Sequence, residues 1–247
     1  MYKNKNVFIT GANGSLGRDL ISNFHKKKAN IVCCIKRKNI NFLKFIKSKK
    51  LNKNQKIDVV VFDITKDKDH KKISNYLKKK NFKIDLLINN AGIAKGGITE
   101  LTSKQNLKDV FDVNFFSQIQ VIQTTLRFLK KSTNASIVNI GSISGNLGYR
   151  GFLSYGASKA ALMYSTKILA NEFSNYKIRV NCIAPNVFLS KMSNLMDDQI
   201  KNDFIQNSFS NRMCNTSDIV NLINFLGSNK SSYLNGQVLY LDGGNKF

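Results

Sequence analysis

The chain has 247 residues and a formal net charge of +24, with 39 Lys and Arg residues against 15 Asp and Glu residues. No apolar run approaches the ~20 residues that cross a bilayer as a helix, and no leader-like segment precedes the first strand pattern, so we expect a cytoplasmic protein that does not enter a membrane. The lysines are scattered over many segments, which favours a compositional bias over a nucleic-acid surface, and no specific nucleic-acid partner is predicted.

A glycine-rich turn follows the first predicted strand. The strand covers 6–10, and the turn TGANGSLG at 10–17 opens a helix that runs to about Lys28. Glycines in such a turn let the backbone approach a pyrophosphate, and the helix N-terminus offers free N–H groups and the positive end of the helix dipole. The placement indicates a dinucleotide phosphate site; the alternative is a tight connection without a ligand.

Three cations follow the second predicted strand, 30–35: Lys36, Arg37 and Lys38. At this point a dinucleotide fold contacts the adenosine ribose, where an acidic residue accepts the 2′-hydroxyl of NAD and cations accommodate the 2′-phosphate of NADP. No Asp or Glu occurs from position 20 to position 57. The sequence therefore favours NADP over NAD, although the alternative is three more cations in a basic chain.

Strands and helices alternate through the rest of the chain. Further strands are predicted at 57–62, 84–88, 135–140, 177–183 and 237–241, and helices within 39–56, at 66–80, 103–131 and 217–226, and from about Tyr155. This alternation indicates a parallel sheet covered on both faces. We find no linker-like break or internal repeat, so one domain over 1–247 is expected. The polar, Met-containing segment at about 189–211 is predicted to be an irregular, mobile lid.

Tyr155 and Lys159 carry the clearest chemical signal. Residues four apart on a helix share a face. A phenol has a pKa of about 10, and a neighbouring ammonium favours the phenolate and lowers that pKa. The Y-x-x-x-K spacing is weak alone, but Ser142 at a strand end and Asn114 in an apolar helix accompany it. Taken singly, Ser142 would be an ordinary strand-end residue and Asn114 a packing amide that must be hydrogen-bonded.

Metal chemistry and disulfides are not indicated by the sequence. The two histidines, His25 and His70, have no plausible ligand cluster around them, so no metal site is predicted. The four cysteines show no CxxC spacing, and three of them lie in apolar strand-like runs where a free thiol behaves as a small hydrophobe. Reduced thiols are therefore expected.

Several motifs occur together in a specific order and spacing. They are TGANGSLG (10–17), Asp63, NNAG (89–92), Asn114, Ser142, YGASK (155–159), Pro185 and LDGG (241–244). In these motifs the chain resembles the classical short-chain dehydrogenases/reductases over essentially its whole length, and among them the bacterial 3-oxoacyl-[acyl-carrier-protein] reductases. The resemblance implies an α/β Rossmann fold with a doubly wound seven-stranded parallel sheet, assembled as a tetramer or dimer.

The resemblance also implies residue roles. Tyr155 would be the general acid, Lys159 would lower its pKa and hold the nicotinamide ribose, and Ser142 would bond the substrate carbonyl oxygen. Asn114 would hold a water that links Lys159 to solvent. Cofactor contacts would be made by Gly11, Asn13, Ser15, Leu16, Gly17, Lys36, Arg37, Asp63, Ile64, Asn90, Ala91, Gly92, Pro185 and Phe188. Apart from the resemblance, substrate contacts are expected from residues that bracket Ser142 and the lid: Ser144, Leu147, Tyr149, Phe152, Leu189 and Met192. The apolar ones among them are compatible with an acyl chain and equally with other small carbonyl compounds.

The chain departs from the family pattern at two positions. The usual glycine pattern would place Gly at position 15, where this chain has Ser15 preceded by Gly14. That spacing leans towards extended members of the family such as sugar-nucleotide epimerases. Asn186 follows Pro185 where Gly is usual; Asn tolerates a left-handed conformation better than most residues.

We therefore expect an NADP(H)-dependent oxidoreductase that reduces a ketone to a secondary alcohol, with a 3-oxoacyl thioester on acyl carrier protein as the preferred substrate. A sugar or polysaccharide precursor is the alternative substrate. A non-catalytic dinucleotide-binding regulator is the alternative of another class, and the presence of both Tyr155 and Lys159 disfavours it.

Overall fold

The computed structural model describes residues 2–190, 193–195 and 198–244. In these residues, seven parallel strands form one sheet in the order β3-β2-β1-β4-β5-β6-β7. They are β1 (Asn6–Ile9), β2 (Asn30–Ile35), β3 (Ile57–Val61), β4 (Leu86–Asn89), β5 (Ala135–Ile140), β6 (Ile178–Pro185) and β7 (Val238–Leu241). The strand order reverses between β1 and β4, which leaves a crevice at their carboxyl ends where such sheets bind ligands. The predicted doubly wound Rossmann fold is confirmed.

Within the described ranges, eight α-helices connect the strands. They are α1 (Ser15–Lys26), α2 (Ile40–Lys47), α3 (Asp67–Lys79), α4 (Lys104–Phe111), α5 (Ser117–Leu129), α6 (Leu153–Glu172), α7 (Asp198–Gln206) and α8 (Thr216–Leu226). A π-helical turn, Asp112–Phe116, joins α4 to α5 without a break. The long helix predicted at 103–131 is therefore one helical run with a widened turn. The segment predicted to be irregular contains α7, so in this part the prediction was wrong.

The side chains of β1 show how the sheet is covered on both faces. Val7 and Ile9 pack into a core formed with α1, α2 and α8, whereas Phe8 packs into a core formed with α3, α5 and α6. Successive strand residues point to opposite faces, so an uninterrupted apolar strand serves both cores. No helix in the described part of the chain is both long and apolar enough to cross a membrane.

Candidate active site

The glycine-rich turn brings β1 and α1 against the end of β4. Gly11 has φ +62°, and a Cβ at this position would lie 2.8 Å from the Cα of Ala91. Gly17 lies so close to the same turn that a Cβ would be 2.6 Å from the carbonyl oxygen of Ala12. Larger residues would open the turn. No side chain caps the first turn of α1, whose N-terminal N–H groups are a suitable site for a phosphate.

Asn90 holds the end of β4 against the turn. Its Nδ2 donates to the carbonyl oxygens of Thr10, at 3.0 Å, and Gly11, at 3.1 Å. In return, the Thr10 hydroxyl oxygen accepts the backbone N–H groups of Asn90 and Ala91. These four bonds fix the width of the crevice between β1 and β4.

Ser142, Tyr155 and Lys159 meet on the other side of this crevice. Ser142 follows β5, and Tyr155 and Lys159 project from the first turns of α6. The Lys159 ammonium donates to the carbonyl oxygen of Ile140 at 2.7 Å and lies 5.8 Å from the centre of the Tyr155 ring. The predicted three side chains therefore converge on one wall, which a strand end and a helix start form together.

Burial shifts the pKa values of both Tyr155 and Lys159. It raises the pKa of Tyr155, and a hydrogen bond from Ser142 only partly offsets this. The pKa of Lys159, whose residue is 5% exposed, is lowered to about 8 because burial disfavours its charge, with the Cys182 thiol acting in the opposite direction. The pKa of Tyr155 is thus raised here, whereas the sequence predicted that Lys159 would lower it. A phenol that keeps its proton at neutral pH is suited to act as an acid.

Asn114 lies fully buried in the π-helical turn. Its Oδ1 accepts the Ile93 N–H at 2.9 Å, and its Nδ2 donates to the Ile93 carbonyl oxygen at 2.9 Å and to the Ser158 hydroxyl at 3.1 Å. A Cβ on Gly92 would lie 3.3 Å from Asn114 Oδ1 and 3.6 Å from Lys159 Nζ. The amide therefore joins the loop after β4 to α6 beside Lys159.

A cavity of about 950 Å³ runs from the glycine-rich turn to this wall. The predicted site residues that line it are Gly11, Asn13, Ser15, Leu16, Asn90, Ala91, Gly92, Ser142, Ser144, Phe152, Tyr155, Lys159, Pro185 and Phe188. Those that do not line it are Gly17, Lys36, Arg37, Asp63, Ile64, Asn114, Leu147, Tyr149 and Leu189. Met192 is outside the described residues.

Packing explains four of these exclusions. Gly17 is buried in the glycine-rich turn and Asn114 in the π-helical turn, whereas Leu189 is 67% exposed. The Tyr149 ring packs on Phe204, 4.4 Å between ring centres, so that Phe204 lines the cavity instead.

Sequence reasoning missed several residues that line the cavity. They are Arg18, Asn39, Asn41, Gly96, Gly97, Arg150, Ile200 and Phe204 among others. Arg18 follows the last glycine of the turn directly, and this adjacency was an available signal. Phe204 lies on α7, a helix in the segment expected to be irregular, so its apolar side chain carried no recognisable pattern.

The sequence pattern of the short chain dehydrogenase family matches residues 5–201. The chain belongs to this family. As a short-chain dehydrogenase it is an NAD(P)-dependent oxidoreductase, and the placement of Ser142, Tyr155 and Lys159 beside the cavity agrees with that chemistry.

Several similar short-chain dehydrogenases align with nearly the whole length of this chain. The 3-oxoacyl-[acyl-carrier-protein] reductase FabG of Thermotoga maritima is 30% identical over 241 residues, 97% of each protein. FabG of Staphylococcus epidermidis is 28% identical over 244 residues, 98% of each. A crystal structure of a short chain dehydrogenase from Leptospira borgpetersenii with bound NAD+ is 32% identical with a TM-score of 0.86, covering 98% of this chain and 93% of the other.

Proposed function

We propose that this short-chain dehydrogenase uses NADPH to reduce a ketone to a secondary alcohol, with a 3-oxoacyl thioester on acyl carrier protein as substrate. The observation that carries the proposal is the convergence of Ser142, Tyr155 and Lys159 on one end of a cavity whose other end is the glycine-rich turn. The FabG relatives, whose names give this substrate, support the choice of thioester.

The residues of the turn fit a dinucleotide. Gly11 leaves a cradle that any Cβ would fill, and the start of α1 offers N–H groups to a pyrophosphate. When bound, a reduced nicotinamide supplies the hydride that the carbonyl carbon takes up. The absence of acidic residues from position 20 to position 57 supports the phosphorylated cofactor.

The protein's own residues deal with the charge that develops on the carbonyl oxygen. Ser142 hydrogen-bonds this oxygen and stabilises it as it becomes negative. Tyr155, whose raised pKa keeps the phenol protonated, gives its proton to the same oxygen, so that the ketone gains a hydride and a proton and leaves as an alcohol. Lys159, held on the Ile140 carbonyl oxygen, favours the phenolate that remains until a proton from solvent restores Tyr155.

The walls around Tyr155 fit an acyl chain. Phe152 and Phe204 lie 6.2 Å apart between ring centres and line the cavity, together with Ile200. Arg150 lines the same end and supplies a cation for an anionic carrier-linked group. We also propose a homo-oligomer, a tetramer or dimer, which the exposed apolar side chains of Phe116, on the π-helical turn before α5, and of Ile168, on α6, support.

Tyr155→Phe tests the acid role. The variant should lower the rate of NADPH consumption with the best ketone about 10²–10⁴-fold, while its affinity for NADPH stays nearly unchanged. The substrate is found by a screen over 3-oxoacyl thioesters, sugar ketones and steroid-like ketones. Tyr164→Phe is the matched control, because Tyr164 lies on the same helix but is exposed and does not line the cavity. Turnover in Tyr155→Phe equal to that of Tyr164→Phe would refute the role.

A further inference from the structure

Arg18 lines the cavity at the end that the β2–α2 loop borders. It shares this end with Asn13 of the glycine-rich turn and with Asn39 and Asn41, which follow β2. In dinucleotide folds the residues after this strand lie at the adenosine ribose, which carries the 2′-phosphate of NADP. A cation here therefore bears directly on which cofactor binds.

The Arg18 side chain is already held in place. Its Nε donates to the carbonyl oxygen of Asn13 at 3.3 Å, and its Nη2 donates to Asn13 Oδ1 at 2.8 Å. The guanidinium carbon lies 5.5 Å from the centre of the Phe42 ring and 5.1 Å from that of Phe45, within the range of cation–π contacts. Because the group is preorganised, little side-chain freedom is lost when it binds a ligand.

The same contacts leave part of the guanidinium available. An arginine has five N–H donors, and Arg18 uses only one on Nε and one on Nη2. Nη1 donates to no residue in the described ranges, and Arg18 forms no ion pair with any of them. The Nη1–Nη2 edge is a planar fork of the kind that binds phosphate with two parallel hydrogen bonds.

The two cations predicted from the sequence are placed less favourably. Lys36 Nζ is 3.6 Å from Asp63 Oδ2. Burial acts to raise the pKa of Asp63, but hydrogen bonds from Thr65 and the charges of Lys36 and Lys66 hold this pKa below its ordinary value. The Asp63 carboxylate is therefore charged and offsets the charge of Lys36. Neither Lys36 nor Arg37 lines the cavity.

We propose that Arg18, rather than Lys36 or Arg37, determines whether this chain accepts a 2′-phosphate on the adenosine ribose. The inference rests on the proposed NADPH preference and names the residue responsible for it. Its position also compensates for Gly14 and Ser15, which bring no charge to the turn.

Calorimetric titration with adenosine 2′,5′-bisphosphate and with 5′-AMP tests the assignment, because the two probes differ only in the 2′-phosphate. Arg18→Met should weaken the bisphosphate about 10–100-fold, the range expected for lost hydrogen bonds to a charged group, and leave 5′-AMP nearly unchanged. Arg18→Lys should recover part of the loss, since the charge returns without the fork. Lys49→Met is the matched control: Lys49 Nζ lies 4.3 Å from the centre of the same Phe45 ring but does not line the cavity.

Three results would overturn the assignment. Arg18→Met could weaken both probes equally, which would mean that Arg18 only shapes the turn. Lys36→Met or Arg37→Met could remove the discrimination while Arg18→Met keeps it, or the unmodified protein could bind both probes equally. None of these results depends on catalysis. Ketone reduction with NADPH or NADH, and its loss in Tyr155→Phe, test the proposed function separately.

Discussion

Gly156 separates Tyr155 from the segment that carries Ser142, and its replacement by Ala tests the geometry of the site. A Cβ at position 156 would lie 2.5 Å from the carbonyl oxygen of Ser144. A relaxed carbon–oxygen contact is about 3.3 Å, so the two backbones must separate by roughly 0.8 Å. Because Ser144 follows Ser142 by two residues and Gly156 follows Tyr155 directly, this shift widens the gap between the two side chains that we propose bond the substrate oxygen.

The expected cost has two parts. Overpacking of two backbone segments destabilises the fold by about 1–3 kcal/mol. A displacement approaching 1 Å at reacting groups costs up to about 10²-fold in rate, so kcat should fall about 10–100-fold, or about 1.4–2.7 kcal/mol in the barrier. Urea denaturation measures the first effect, and NADPH consumption with the best ketone from the screen measures the second.

Ala157→Gly is the matched control. Ala157 is exposed on the same turn of α6, and a helical glycine costs about 1 kcal/mol without any new contact. This variant should lose stability but keep kcat. The reasoning fails if Gly156→Ala keeps full activity, or if Ala157→Gly loses as much activity as Gly156→Ala does.

Two further variants test the buried polar groups. Lys159→Met should abolish reduction yet raise the free energy of unfolding at pH 7 by at most about 3 kcal/mol, because it removes a buried ammonium whose pKa is lowered to about 8. Below pH 8, Lys159 keeps its proton in both the folded and the unfolded protein. Between pH 8 and about 10.4 the folded protein releases this proton while the unfolded protein still holds it, so the unmodified protein becomes more stable as the pH rises. The stability advantage of Lys159→Met therefore shrinks over this range. Urea titrations of both proteins from pH 6 to about 10 would contradict this if the advantage grew instead. Asn114→Ala should lower the free energy of unfolding by about 1–3 kcal/mol, since it leaves the N–H and carbonyl of Ile93 without their partner. Unchanged denaturation midpoints would disprove that. Gln120→Ala, which removes only a solvent-exposed hydrogen bond to Asp67, is the control and should cost little.

The core of the fold was predictable because buried parallel strands read as uninterrupted apolar runs. The bounds of β2 and β5 match the predicted 30–35 and 135–140. The strand predicted at 84–88 is formed only from Leu86, since Ile84 N–H bonds the end of α5 through the Phe128 carbonyl oxygen rather than a strand neighbour. Local pattern fixes a strand's existence better than its first residue.

The candidate site was predictable where a motif fixes the chemistry and the backbone together, as at Tyr155 and Lys159. It was not predictable where tertiary packing selects the residue. The adjacency of Arg18 to the last glycine places it near the turn, but its side chain faces the cavity because Phe42 and Phe45 hold it there, and no spacing in the sequence connects these positions. Lys36 carries the expected charge, but an ion pair with Asp63 engages it.

The π-helical turn at Asp112–Phe116 has a consequence for how this enzyme tolerates deletions. Such a turn holds one residue more than an α-helical turn, and each helical residue advances the helix by about 100°. Removing one residue inside the turn would let the helix close into regular α geometry, so α5 would keep its apolar face on the sheet. The same deletion a few residues later would rotate that face towards solvent. In a single-residue deletion scan, deletions inside this turn should therefore yield folded proteins that have lost only the hydrogen bonds between Asn114 and Ile93.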